Sequence, residues 1–477
     1  MKARIFAEES RKWWTLGAVA FALFMIMLDN TVVNVALPSI QSDLGIGLSE
    51  LEWTVNAYAL TFAVLMLSGG KLADFFGRRR VFLIGLAIFT LSSLACGLAT
   101  SGETLIGART VQGVGAALMM PATLSIISAT FPPHQRGMAI GIWAGVSAMA
   151  LAIGPLIGGI VTEHIDWSWI FFLNVPIGIV GLIVGRLVID ESRDTSQEQR
   201  LDIPGLVASG VGLFALTFAL IEANAYGWTD PVIVGLFVLS AVSLALFVLL
   251  EMHQRSPMLD LSLFRSSTFA GANVVALLVT LAMFGVFFFM SIYMQNVLGY
   301  SATKTGAAFL PMTILIILIA PIAGKSSDRI GSRALMTAGM LCLAVSLAIF
   351  SRLGLDSGFW DIFPGLVVGG FGMGLVMTPM TAAALGSVPV EKSGVGSGVL
   401  NTFRQVGGAL GIAVMGAIVA SYVDLSGGRP DPSSFIDGFQ AALRVSAVFA
   451  LIGAVVAVTT IRKHRHMDAG ELAEAAA

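Results

Sequence analysis

Apolar runs of about 20 residues recur along the whole chain, and a helical run of that length crosses a hydrocarbon core of roughly 30 Å. Within lipid a backbone must satisfy its own hydrogen bonds, so such runs can only be helices. Hydrophobic residues make up 56% and charged residues 12% of the 477 positions. That balance excludes a soluble globular chain and a disordered one. The run from Trp13 to Leu37 is too long for the apolar part of a cleaved signal and carries Asp29, so it reads as a retained first span. The pattern predicts an all-α membrane protein with fourteen spans, near 13–37, 51–70, 81–99, 105–130, 138–162, 169–188, 203–223, 231–250, 269–296, 306–323, 334–351, 361–385, 397–421 and 441–461.

Loop charge supplies the orientation. With both termini cytoplasmic, 21 of the 27 Lys and Arg residues fall on the inner side. Outside lie only Lys304, Arg352, Arg429 and Arg444, while Arg109 and Arg404 fall within spans. This is a strong positive-inside bias. The net charge of −2 adds little. Cys96 and Cys342 both sit in apolar runs and imply no disulfide framework, and the five histidines, His134, His164, His253, His464 and His466, show no metal spacing.

The chain also repeats itself. GKLADFFGRRR at Gly70–Arg80 returns as GKSSDRIGSR at Gly324–Arg333, 254 residues later, with Gly, Lys, Asp and Gly at the same relative positions. FPPHQRGMAIG at Phe131–Gly141 is echoed by VPVEKSGVGSG at Val388–Gly398 with an offset of 257. A charged turn repeated half a chain apart amid membrane spans is the mark of a duplicated transporter. The chain then divides into a first six-helix bundle at 13–188, a linker at 189–268 holding two extra spans at 203–223 and 231–250, a second bundle at 269–461, and a tail at 462–477 that reads as disordered. GKS at Gly324–Ser326 is no phosphate loop, since Ile319 stands where that motif needs its first glycine.

Five motifs together resemble the major facilitator superfamily, and within it the fourteen-helix drug:proton antiporters of the EmrB/QacA type. They are LDNTVVNVALP at Leu28–Pro38, the Gly70–Arg80 loop, RTVQGVGAA at Arg109–Ala117, GPLIGG at Gly154–Gly159 and NTFRQVGGALG at Asn401–Gly411. The resemblance covers residues 13–461 and implies the major facilitator fold of two six-helix bundles plus two helices. It further implies proton-driven export by alternating access, with Gly154, Pro155, Gly158 and Gly159 as the antiporter mark. No cofactor is expected beyond the proton gradient. The expected partners are a small-molecule substrate, protons and the bilayer, with no nucleic acid, in a protein acting as a monomer in a bacterial inner membrane.

Asp29 and Arg109 are opposite charges deep in the first half. Helix rise puts Asp29 about 24 Å along its span from the inside and Arg109 about 6 Å in from the outside, which is the same depth. Such charges usually face a cavity or each other. At about 6 Å and an effective dielectric near 20 they interact by roughly 3 kcal/mol. Desolvation and the arginine act oppositely on the Asp29 carboxyl, so a small displacement could load or release a proton. The alternative is a static structural ion pair. Glu222, near the outer end of its span, is either a second proton site or a solvated helix end. Arg404 either faces the substrate path or snorkels to the inner interface.

In the repeated loop, Gly70 and Gly77 allow tight backbone, Asp74 can accept hydrogen bonds from helix amides or Arg78, and Arg78, Arg79 and Arg80 anchor the inner face. Gly324, Asp328, Arg329, Gly331 and Arg333 are the second copy. The resemblance implies a latch that holds the two bundles together inside during the outward-open state, whereas a plain topogenic cluster needs no more than the arginines. The substrate cavity is expected near the midplane between the halves, lined by Met25, Asn30, Asn34, Met119, Met120, Phe287, Met377 and Met380, with adaptable methionines suited to varied apolar ligands.

The expected cargo is an amphipathic or cationic small molecule. Exchange of one proton for one monocation draws only on the pH gradient, about 1.4 kcal/mol per unit. Each net charge moved adds about 2.3 kcal/mol per 100 mV of potential. Expulsion of a dication therefore calls for a second titrating group such as Glu222. Export of an endogenous metabolite, lipid or secondary metabolite is the second reading. A non-transporting sensor is the third; an enzyme is not expected, because no catalytic constellation or soluble domain is present.

Overall fold

The computed structural model describes residues 8–193, 202–254, 257, 259, 261–388, 393–422 and 432–462. The expected disordered tail from 463 onward and the side chains of Asp328 and Arg329 lie outside the described residues. Among the described residues the chain is helical throughout, with no strand. The first half comprises α1 (Glu8–Leu44), α2 (Leu48–Phe76), α3 (Arg78–Gly97), α4 (Gly102–Thr130), α5 (Pro133–His164), and the broken pair α6 (Trp169–Phe172) and α7 (Asn174–Val188). Two helices follow, α8 (Ile203–Tyr226) and α9 (Pro231–His253). The second half holds α10 (Ser267–Ile292), the broken pair α11 (Ala302–Ala308) and α12 (Leu310–Ile330), α13 (Ser332–Phe350), α14 (Phe359–Gly386), α15 (Ser393–Tyr422) and α16 (Pro432–Thr460).

By length and composition, 12 of these segments can cross a membrane, or 13 if the bent helix over residues 48–76 counts as one span. The remaining expected span, 138–162, falls on the 32-residue helix α5, which that criterion does not include. The count of fourteen therefore stays an expectation. Exposed apolar side chains such as Ile84, Leu91, Val238 and Leu249 coat the outward faces, as a lipid solvent requires. Helix starts carry ordinary caps: Asp202 accepts from the Gly205 amide at 2.7 Å and Asp230 from the Val232 amide at 2.8 Å.

The packing repeats with the sequence. Helix α2 lies on α4 as α12 lies on α14, α3 on α4 as α13 on α14, and α1 on α5 as α10 on α15. The extra hairpin packs α8 against both α2 and α15. The Trp53 ring sits 5.7 Å from Phe214 and 5.9 Å from Phe218, and Asn224 Nδ2 donates to the Ala417 carbonyl at 2.6 Å.

The two halves meet on the outer side. Gln295 Nε2 donates to the Val35 carbonyl at 2.8 Å, and the Thr303 amide donates to Glu163 Oε2 at 2.7 Å. One hydrophobic cluster runs without interruption from Val32, Val33, Leu51 and Val55 in the first half to Phe288, Phe289 and Met290 in the second. A separate cluster, including Val19, Met25, Phe62, Phe82 and Met119, holds the inner part of the first half. On that inner side α1 and α5 part, leaving an apolar cleft of about 450 Å³ lined by residues including Trp13, Phe21, Phe24, Ile142 and Met149. The conformation is closed outside.

Candidate functional site

Asp29 and Arg109 come together in the first half, each 1% exposed. Arg109 Nη1 donates to Asp29 Oδ2 at 2.5 Å, and Arg109 Nε donates to the Thr54 carbonyl at 3.0 Å. Gln112, three residues after Arg109 and so on the same face of α4, binds both partners. Its Nε2 donates to Asp29 Oδ1 at 3.0 Å, and its Oε1 accepts from Arg109 Nη1 at 2.7 Å. Ser93 Oγ on α3 accepts from Gln112 Nε2 at 2.7 Å and from Asn174 Nδ2 at 3.1 Å. The Tyr58 ring lies 4.2 Å from the guanidinium carbon, a cation–π contact with buried geometry. Five helices thus hold one carboxylate. Its direct donors are Arg109, Gln112 and, at 3.4 Å, Asn174.

Sequence reasoning paired the two charges but missed Gln112, Ser93, Asn174 and Tyr58. Of these, Gln112 carried a signal in its spacing from Arg109.

The Gly154–Gly159 motif is a seam. A β-carbon on Gly158 would stand 2.7 Å from the Val32 carbonyl of α1, and one on Gly159 would strike the backbone of Ala302 and Thr303. Gly306 of α11 is crowded in turn by the Pro155 backbone. This one turn of α5 therefore lets α1 approach on one face and the second half on the other.

The repeated loop caps two helices at once. Gly77, with φ of 109°, ends α2 and begins α3, and Gly331, with φ of 90°, does the same between α12 and α13. Arg78 Nε donates to Asp74 Oδ1 at 2.9 Å. Glu191, just beyond α7, accepts from the Arg79 amide at 3.1 Å and lies within 3.9 Å of Arg79 Nε and 3.8 Å of Arg80 Nε. Lys71 donates to the Pro257 carbonyl at 2.6 Å. Among the described residues, these contacts stay within the first half and the linker. In the second copy, Ser332 pairs with Ser327 at 2.7 Å, while Gly324 and Arg333 are partly buried.

The remaining expected residues scatter. Met25, Met119, Met120 and Met380 are buried in the two cores, whereas Asn30, Asn34, Phe287, Met377 and Arg404 are partly exposed. Asn30 Nδ2 returns to the Ile26 carbonyl at 2.8 Å, and Phe287 packs on Phe309 at 5.5 Å. Glu222 is partly buried and accepts from the Ser49 hydroxyl at 2.5 Å. One turn along α2 from Ser49 lies Glu52, a carboxylate that sequence reasoning passed over although it is 2% exposed. No group of three or more His, Cys, Asp and Glu able to hold a metal occurs among the described residues.

Comparison with known proteins agrees with this architecture. The profile of the Major Facilitator Superfamily matches residues 19–412. The tetracenomycin C resistance and export protein of Streptomyces glaucescens is 38% identical over 87% of this chain and 77% of its own. The puromycin resistance protein of Streptomyces alboniger is 36% identical over 93% and 89%. The multidrug resistance protein Stp of Mycobacterium tuberculosis is 37% identical over 88% and 79%. Among solved structures, a bacterial homologue of the human lysosomal transporter Spinster superposes with a TM-score of 0.65 at 17% identity, covering 95% of this chain and 97% of the other.

Proposed function

The chain belongs to the major facilitator superfamily, a family of membrane transporters and not of enzymes, and from that premise we propose that it is a proton-coupled exporter of amphipathic or cationic small molecules. The observation that carries the coupling is the buried Asp29–Arg109 pair, joined by Gln112 and Asn174. A charge pair at this depth is costly to keep unless it is used, and one carboxylate held by a single arginine is a two-state proton site. Asp29 takes the proton when Arg109 is drawn away and returns it when the pair re-forms. Relatives whose names record antibiotic or multidrug resistance support export as the direction. The Gly154–Gly159 seam supports alternating access, since it allows the outer side to close tightly. Glu222 and Arg404 remain candidates for a second proton site and for the substrate path, and the Gly70–Arg80 loop for an inner latch in the opposite conformation.

Reconstitution in proteoliposomes with an imposed pH gradient tests the reading. Addition of an exported cationic dye is expected to dissipate the gradient faster than in protein-free vesicles, and Asp29→Asn is expected to abolish that acceleration. Dye-dependent proton flux at the unmodified rate in Asp29→Asn would overturn the assignment of Asp29.

A further inference from the structure

Glu52 is a buried carboxylate that the coupling site does not use. Its Oε2 has no hydrogen-bond partner among the described residues. It projects from the outer half of α2 toward α15, and its carboxylate fills the space over Gly416, where any β-carbon would overlap it. Helix α8 closes the third side, with Trp53 against Phe214 and Phe218 and with Ser49 bonded to Glu222. Glu52 therefore stands where the first half, the second half and the extra hairpin meet.

Among the described residues, the charges around it offer no counterion. From α8 the facing group is Glu222, of the same sign, which accepts from Ser49. Helix α15 carries no ionisable side chain between Arg404 and Tyr422. On α4, Arg109 is committed to Asp29 and to the Thr54 carbonyl. On α2 itself, Glu50 is taken up by the Gly47 amide at the helix start. Burial of an ionised carboxylate without a partner is strongly unfavourable, and burial of the neutral form is much less so.

We propose that Glu52 is a proton lock on the outer gate: closure of α2 onto α15 requires its carboxylate to take up one proton from the external solution. The O–H bond forms on Glu52 as the seam closes, and the proton returns to external water when the seam parts and the carboxylate is hydrated. The lock rests on the alternating access proposed above, but it is distinct from the Asp29 site, since it sets which pH opens the gate and not what is exchanged. Linkage of one proton makes the opening constant rise roughly tenfold per pH unit above the range where an exposed glutamate titrates, about 4.3.

Hydrogen–deuterium exchange on the full chain, corrected for intrinsic rate and read on the outer halves of α2 and α15, tests this. The unmodified protein is expected to show faster exchange there at pH 8 than at pH 5. Glu52→Gln, neutral and nearly the same shape, is expected to hold the segment protected at both. Asp29→Asn is expected to keep the pH response while losing dye-driven proton flux, which separates failure of the lock from failure of the exporter reading. Retention of the unmodified pH response in Glu52→Gln, or no pH response in the unmodified protein, would overturn the lock.

Discussion

Arg109 Nη1 reaches Asp29 Oδ2 at 2.5 Å while its Nε holds the Thr54 carbonyl, so the arginine ties α1, α2 and α4 together at one buried point. Asp29→Asn leaves a guanidinium buried without a counter-charge and is expected to cost about 3–5 kcal/mol of stability. Asp29→Asn/Arg109→Gln removes both charges and is expected to recover much of that loss without recovering exchange. Thermal unfolding in detergent beside proton flux in vesicles separates the two roles. A purely structural pair predicts that the double variant transports normally.

At the seam, Gly159→Ala places a methyl group on the backbone of Ala302 and Thr303, where no flexible side chain can yield. Overpacking of this kind typically costs about 1–3 kcal/mol. Because the strain falls on the outer closure, passive proton leak through reconstituted protein is expected to rise and export to fall at least several-fold. Gly145→Ala, in open space on the same helix, is the control and is expected to change neither.

The two loop copies differ in what surrounds their glycines. Both Gly77 and Gly331 have positive φ, so alanine at either is expected to cost about 1 kcal/mol in backbone strain. Among the described side chains, the new methyl group meets one only at Gly77, the Glu191 carboxylate at 2.6 Å. Melting temperature is therefore expected to fall further in Gly77→Ala than in Gly331→Ala. Arg80→Ala, which removes a half-exposed ion pair, is expected to cost less than about 1 kcal/mol.

Glu163, one residue beyond its expected span of 138–162, is pulled down to about 2 by hydrogen bonding from Ser301 first and then Thr303. A depressed carboxylate stabilises the fold fully above its unfolded value, near 4.5, and loses that contribution only as pH falls toward 2. The difference in melting temperature between the unmodified protein and Glu163→Gln is thus expected to be constant from pH 5 to 8. It is expected to shrink only in stronger acid.

Hydrophobic run length and the repeated turn determined by themselves that this chain crosses the membrane many times and that its halves repeat, and loop charge set the orientation to expect. Helix rise even placed Asp29 and Arg109 at one depth. These are one-dimensional properties, fixed by the distance along a helix axis, and a sequence records them directly. What it does not record is the angle about that axis. A polar residue in a span can face lipid, a cavity or a partner, and only the packing of neighbouring helices chooses. That choice turned Met119 and Met380 into core, brought Ser93 and Asn174 to Asp29 from helices far apart in the chain, and bound the loop arginines to Glu191. It also set Glu52 against Gly416 at the junction of three helices, where burial without a partner makes an ordinary glutamate a site for a proton.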